Sequence, residues 1–294
     1  MDDLAVFVTS NGEVMVWRGT DPTSANTWAL VGLWEIGSPV GRRCMTKFAG
    51  DLLIVGQDGL LPMSAALQSS RVNPKVALTN KIQGAVSTAT STYASNFGWE
   101  ICYYPKSNAL LLNVPISEGT SQQQYVMNTI TKAWCNFTGW AANCFVVWAD
   151  QLYFGGNGFV AKAWSGTVDD TANITTAALQ AFNYFGAPGQ LKRFTMIRPV
   201  LLSNGTPALQ AGLNIDFDTS IAPASLAFSP TSYGAWDGVA WDTGIWGGGL
   251  AVNKNWQGAN GVGYSAAPVF QSSTQGIEAH WVSSDVVFER GGIL

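Results

Sequence analysis

A short phrase that recurs along the first half of the chain is the strongest constraint on its fold. The phrase consists of an apolar strand, a turn that contains Asn-Gly, Asp-Gly or Ser-Asn, and a second apolar strand. Its copies cover residues 3–14, 51–61, 101–112 and 150–160, with turns at Gly12, Gly59, Asn108 and Gly158. Asn and Gly tolerate the positive φ angles that tight hairpin turns require, so each copy predicts a β-hairpin.

The spacing of these copies predicts a β-propeller. The turns lie 47, 49 and 50 residues apart, and strand repeats of about 40–50 residues are typical of propeller blades. An opening strand at 43–48 or 144–148 and a closing strand with tryptophan at 27–29 or 132–137 complete four strands per blade. Residues 1–172 then hold about 3–4 blades, whereas closed propellers have roughly 4–8. The first copy lacks an opening strand, so we expect further chain or a partner to complete the ring.

Two other segments depart from this rhythm. Apolar residues between 75 and 92 have the spacing of one helix face, which predicts a helix inserted in or beside the second blade. Small polar residues near 165–177 predict a domain boundary, and residues 173–294 contain short strands joined by Gly-rich turns. This second pattern is typical of a β-sandwich, so the predicted fold is all-β: a partial propeller followed by a β-sandwich-like domain.

Composition excludes several classes of function. Charged residues make up only 12% of the chain and the net charge is −4, so there is no overall electrostatic attraction to nucleic acid. The four cysteines form no CxxC pair and the chain has one histidine, which predicts buried free thiols and no metal site. There is no apolar run of about 18 residues, so we expect no membrane-spanning segment. Walker, GxGxxG, HExxH and GxSxG motifs are absent, and no catalytic or cofactor-binding residue is predicted.

The most distinctive side chains predict an interaction surface in the second domain. Its densest basic group is Lys192, Arg193 and Arg198, which suits acidic neighbours on a partner subunit or, alternatively, phosphates. Tryptophans recur every fifth residue at Trp236, Trp241 and Trp246. Exposed, such rings would bind sugars or partner surfaces; buried, they would pack the sandwich.

Two further patterns leave an enzymatic alternative open. Asp216 and Asp218 are predicted on one face of a strand that runs from residue 209 to 217, where they would suit Ca²⁺ or a glycosidase carboxylate pair. A single pair of this kind is more often the exposed face of an edge strand, which is the interpretation that the pattern favours. His280 precedes Trp281 in a predicted strand and is interpreted as structural, because no nucleophile motif accompanies it.

Several short runs of residues in the second half of the chain resemble virion proteins of short-tailed phages. These are residues 181–186, the run from Lys192 to Pro199, and the closing runs at 256–264 and 281–285. The resemblance is to the C-terminal half of propeller-bearing tail nozzle, or packaged-DNA stabilisation, proteins, and those relatives have an additional N-terminal part.

The resemblance implies a structural role without catalysis or cofactors. The protein would be made in the bacterial host cytoplasm and located in the virion tail, as a homo-oligomeric ring below the portal. Its neighbours would be portal, adaptor and tail proteins, and packaged DNA would pass through the lumen without sequence-specific contact. The alternatives are a carbohydrate-binding propeller module and a host-surface-binding tail protein.

Overall fold

Hairpins and longer meanders of antiparallel strands make up most of the structure, as the recurrent phrase predicts. The computed structural model describes residues 4–66, 74–220, 223–226 and 249–291. Every pairing between strands in these ranges is antiparallel. The fold is all-β, in agreement with the sequence. It has two compact units, Met1–Ser165 and Gly166–Leu294, whose boundary precedes the one predicted at residue 172.

The first unit contains four small sheets, each built from strands that follow one another in the chain. Sheet A comprises β1 (Leu4–Val8), β2 (Glu13–Gly19) and β3 (Trp28–Glu35). Sheet B comprises β4 (Met45–Phe48), β5 (Asp51–Gly56) and β6 (Gly59–Pro62). Sheet C comprises β7 (Glu100–Tyr104), β8 (Ala109–Ser117), β9 (Ser121–Asn128) and β10 (Trp134–Thr138). Sheet D comprises β11 (Cys144–Trp148), β12 (Gln151–Gly155) and β13 (Val160–Ala163).

Sheets B and C bury both of their faces because alternate residues of their central strands enter different cores. On β5, Ile54 lies in a core shared with sheet A, whereas Leu53 and Val55 lie in a core shared with sheet C. On β8, Leu112 belongs to that second core, and Leu111 belongs to a third core shared with sheet D. The four sheets are therefore packed face to face in chain order, which is the packing of successive propeller blades.

The opening strands show which copies of the phrase are equivalent. Strand β7 neighbours both β4 and β11: Arg43 forms a parallel bridge with Glu100, and the N–H of Phe145 donates to Glu100 Oε2. The copy at 101–112 thus supplies the first two strands of sheet C, whereas the copies at 51–61 and 150–160 supply the second and third strands of theirs. The prediction that the turn at Asn108 is equivalent to those at Gly59 and Gly158 is therefore wrong. The equivalent turn of sheet C joins its second and third strands and contains Gly119, with φ 70°.

The inserted helix is shorter than the predicted range of 75–92. The helices are α1 (Met63–Ala66) and α2 (Gln83–Tyr93), with 3-10 turns at Pro74–Val76, Asn80–Ile82 and Pro105–Ser107. The segment before α2 pairs with β6: Leu78 N donates to Leu60 O at 2.9 Å, and Leu60 N donates to Thr79 Oγ1 at 3.1 Å. These bonds hold residues 77–79 against β6 in a turn between the first two 3-10 turns, so the helix begins only at residue 83. Val86 and Ala89 of α2 then pack into the core between sheets B and C.

The second unit is a β-sandwich of two four-stranded sheets. Its strands are β14 (Ile174–Leu179), β15 (Lys192–Ser203), β16 (Leu209–Ile215), β17 (Ala224–Leu226), β18 (Ala251–Lys254), β19 (Gln257–Gly263), β20 (Ala266–Thr274) and β21 (Ala279–Arg290). Sheet E has the order β14-β20-β16-β17; in sheet F, β15 pairs with β21 on one side and with β18 and β19 on the other. Phe194 and Ile197 of sheet F meet Ala211, Leu213 and Phe270 of sheet E in one core. In the ranges that the structure describes, no helix is long and apolar enough to cross a membrane.

Candidate functional site

Lys192 is buried, which corrects its assignment to an interaction surface. Its side chain is fully buried at the start of β15. The ammonium group donates to three backbone carbonyls: Ala187 O at 2.6 Å, Gln190 O at 2.8 Å and Tyr264 O at 2.9 Å. All three donors of the ammonium group are therefore used inside the second unit. Lys192 fixes the loop before β15 to the turn after β19.

The other two basic residues of the group have different environments. Arg193 is exposed and lies 4.0 Å from Glu289, an arrangement that contributes little to stability. Arg198 donates to Asp285 Oδ2 through Nε at 2.8 Å and through Nη2 at 2.6 Å, and its guanidinium lies 4.6 Å from the ring centroid of Trp256. Arg198 therefore joins β15 to β21 while part of its side chain remains accessible.

The predicted aromatic platform cannot be placed. Trp236, Trp241 and Trp246 lie outside the described residues, so their role stays a prediction.

The carboxylate pair proposed at the end of β16 is not on a strand face. The strand ends at Ile215, and Asp216 and Phe217 have φ angles of 47° and 67°, which turn the chain away from the sheet. Asp216 Oδ1 accepts hydrogen bonds from the backbone N–H groups of Tyr264 and Ser265, both at 2.8 Å. Asp216 therefore caps the turn after β19. Among the described residues, no three His, Cys, Asp or Glu side chains form a group that could hold a metal ion.

His280 and the cysteines have local environments. His280 Nε2 lies 2.8 Å from Glu278 Oε1 on an exposed part of β21. The four cysteines are free thiols as predicted, but only Cys44 is buried, and Cys135 is exposed. Burial, together with the charge of Glu100, raises the pKa of Cys102 to about 12, so this thiol stays protonated at neutral pH.

A row of polar side chains crosses sheet C and holds the segment that leads into sheet D. Glu100, Asn113 and Gln124 are cross-strand neighbours on β7, β8 and β9. Each binds one backbone group of that segment, in three contacts: Glu100 Oε2 accepts from Phe145 N at 2.8 Å, Asn113 Nδ2 donates to Ala142 O at 2.7 Å, and Gln124 Nε2 donates to Trp140 O at 3.1 Å. We call these three residues the polar row. It fixes the register in which sheet D packs on sheet C.

Glu100 is the charged member of the polar row, and its carboxylate is mostly buried. Burial raises the pKa of Glu100 above its ordinary value of 4.5, against the lowering by the N–H of Phe145 and by Arg43 at 3.2 Å. Arg43 is partly exposed, and its pKa is raised by its hydrogen bond to Cys144 and then by the charge of Glu100. The free energy lost by removing the ionised carboxylate from water therefore exceeds the stabilisation that Phe145 N and Arg43 give to it.

The raised pKa predicts a specific pH dependence of stability. The folded state holds the Glu100 proton more tightly, so this group favours folding fully below pH 4.5 and loses its contribution as pH rises through the folded pKa. The variant Glu100→Gln can still accept a hydrogen bond from Phe145 N, but its side chain does not titrate. We therefore expect the stability of this variant not to fall as the pH rises through this range. Hydrogen exchange of peptides that cover β7 and β11, compared between the two proteins at each pH of a series, measures this stability in the first unit alone. Glu118→Gln is the control, because Glu118 also accepts from a backbone N–H, that of Phe97, but is exposed. Identical pH curves for the wild type and Glu100→Gln would contradict the assignment.

Sheet A has an apolar outer face. Its inner face contributes Val14 and Val16 to the core shared with sheet B. On the opposite face, Phe7, Met15 and Leu33 are cross-strand neighbours, and Phe7 and Leu33 are 51% and 60% exposed. Trp17, Trp28 and Leu30 extend the same face, with Leu30 half exposed. Glu13 and Glu35 face each other across β2 and β3 at one end of it.

Sheet D also has an apolar outer face. Its inner residues Leu152 and Phe154 lie in the core shared with sheet C. The other face has Val146, Trp148 and Val160, which are 56%, 69% and 77% exposed. Tyr153 lies between Val146 and Lys162 in the register of the sheet. The two terminal sheets of the stack therefore each cover one apolar face and expose the other.

These two outer faces are the candidate functional site, and the sequence analysis did not identify them. The signal is nevertheless present in the sequence. Residues 28–34 and 144–148 are apolar at both even and odd positions, a pattern that predicts strands buried on both faces. In the structure, Trp34 of β3 is only half-buried and Phe145 of β11 is buried, whereas Leu33 and Val146 on the opposite faces are exposed. Both segments therefore carry apolar surface that nothing in the described part of the chain covers.

The comparisons with known proteins give no identification. No protein-family model matches the chain, and no curated protein matches it.

Proposed function

We propose that this protein is a non-enzymatic structural subunit that works by assembly, as a tail component of a short-tailed phage. The observation that carries the proposal is the pair of apolar outer faces on sheets A and D. The largest exposed apolar patches of soluble proteins are often functional, and those rimmed by polar residues mark interaction surfaces. A virion subunit whose terminal sheets are covered by neighbours accounts for both faces at once.

The phage assignment is supported by the runs at residues 181–186, 192–199, 256–264 and 281–285, which resemble propeller-bearing tail nozzle proteins. In this role the subunits form a ring below the portal, in contact with portal, adaptor and other tail proteins. They are made in the bacterial host cytoplasm and end in the virion.

The mechanism of such a subunit is geometric. A rigid ring continues the channel of the portal and helps to retain the packaged DNA until ejection. The net charge of −4 suits a lumen through which DNA slides without specific contact, because few phosphates would be neutralised by the protein. No step of this role requires a catalytic group or a cofactor.

The role predicts a defined phenotype in the virion. We expect mass spectrometry of purified particles to find the chain in several copies per portal. Particles assembled without it should package DNA and then lose most of it, which quantitative nuclease-protection assays would measure. Supplying the wild-type chain during assembly is the control and should restore DNA retention. Absence of the chain from purified particles, or full DNA retention without it, would overturn the proposal.

A further inference from the structure

The order in which the four sheets pack makes the two outer faces complementary to each other. Each internal junction joins the later face of one sheet to the earlier face of the next: A to B, B to C and C to D. The outer face of sheet A is an earlier face without a preceding sheet. The outer face of sheet D is a later face without a following sheet. A contact between these two faces would repeat the junction that the chain already makes three times.

The charges on the two faces favour this pairing. Glu13 and Glu35 are cross-strand neighbours at one end of the outer face of sheet A. Like charges directly opposite each other destabilise a sheet, and within the described residues neither glutamate has an ion-pair partner. The outer face of sheet D carries a cation, the exposed Lys162. A contact between two A faces would instead bring four glutamates together.

We infer that the occupant of each outer face is a second copy of this chain, with sheet A of one copy packed on sheet D of the next. This inference rests on the proposed role in assembly and specifies its contact. The contact is head to tail, so it leaves one free A face and one free D face on every open chain of copies. Such a contact generates rings where the rotation closes and filaments where it does not.

The size of the faces sets the expected strength of the contact. With strands about 4.8 Å apart and about 3.4 Å per residue, three strands of about seven residues in sheet A cover roughly 340 Å², and three of about five residues in sheet D cover roughly 250 Å². Stable pairwise interfaces bury about 800 Å² per partner. A single contact is therefore weak, and ring closure strengthens it because every copy then makes two contacts.

Two single variants and their mixture test the inference. Leu33→Asp places a charge on the outer face of sheet A, and Val146→Asp places one on the outer face of sheet D. Analytical ultracentrifugation over a concentration series up to the submillimolar range gives the oligomeric state. We expect the wild type to self-associate and each variant to be monomeric. Mixed together, the variants should form a dimer and nothing larger, because one supplies an intact D face and the other an intact A face. Ile130→Asp, an exposed apolar position in the turn after β9, is the control and should leave association unchanged.

A charge exchange tests the same contact without adding a buried charge. Glu35→Lys and Lys162→Glu should each weaken association, by about tenfold, because like charges then meet. The double variant Glu35→Lys/Lys162→Glu should recover most of it. Circular dichroism of every variant confirms that it is folded.

The outcomes separate this inference from the proposed function. A wild type that associates but is unaffected by Leu33→Asp and Val146→Asp overturns the contact and leaves the structural role intact. A wild type that remains monomeric in solution yet is present in virions also overturns the contact, and another virion protein then covers the faces. If one single variant is still dimeric on its own and the mixture forms no heterodimer, the contact is instead a symmetric A-to-A or D-to-D contact. A chain that is absent from virions overturns the proposed function itself.

Discussion

Replacing Leu111 with alanine is expected to destabilise the first unit by about 2–5 kcal/mol, the range for a leucine truncated in a close-packed core. Leu111 is fully buried between sheets C and D, where it packs with Val126, Leu152 and Phe154. Because the chain has two units, a single unfolding curve would mix their transitions. Hydrogen exchange of peptides that cover β8 and β9 measures the first unit alone, and their protection should fall accordingly.

Two further substitutions show whether sheet C is buried on both faces. Leu112→Ala should cost a similar amount, since Leu112 is fully buried on the opposite face, in the core with sheet B. Leu33→Ala on the exposed face of sheet A should cost well under about 1 kcal/mol in the dilute protein. If only one of Leu111→Ala and Leu112→Ala were destabilising, sheet C would have one solvent-facing side, and the face-to-face stack would be wrong.

The variant Lys192→Met should destabilise the second unit by about 3 kcal/mol or more. Methionine preserves much of the apolar stem but leaves the carbonyls of Ala187, Gln190 and Tyr264 without the ammonium donor. Each hydrogen bond to a charged group contributes roughly 1.5–3 kcal/mol, and the substitution removes three of them. Loss of hydrogen-exchange protection at residues 187–203 and in β19 is the measurement.

Arg193→Met is the matched control for Lys192→Met, because Arg193 is the next residue on the same strand and is exposed. It should change the free energy of unfolding by no more than about 0.5 kcal/mol. Equal effects of the two substitutions would mean that Lys192 does not hold the loop before β15.

The strands and hairpins could be predicted because their causes are local. Gly12, Gly59 and Gly158 occupy turns with φ angles of 94°, 104° and 83°, which Gly adopts without strain. The start of β15 and the tryptophan strand β10 also follow from local apolar patterns. The start of α2 could not be predicted in this way, because residues 77–79 are held by β6, a partner from elsewhere in the chain.

The site residues were harder to predict because burial depends on tertiary packing. Lys192 was predicted to be a surface cation because it stands beside Arg193. It nevertheless lies on the same face of β15 as the buried Phe194. The alternation of residues along the strand was the signal that could have indicated its burial. The turn at Asp216 and Phe217 was missed because both residues adopt positive φ without being glycine. Nothing in the sequence indicates that Asp216 binds the backbone of residues 264 and 265, which are distant along the chain.

The polar row has a consequence for the shape of any assembly. Sliding sheet D along sheet C by one residue would break the bonds of Glu100, Asn113 and Gln124 together, so that junction has one allowed offset. The outer faces of sheets A and D carry no comparable set of directional bonds, and apolar contact is tolerant of sliding and rotation. Copies joined through these faces would therefore vary in the angle between successive subunits. Rings of one size would then require a template with fixed symmetry, and free protein would form rings or filaments of mixed size.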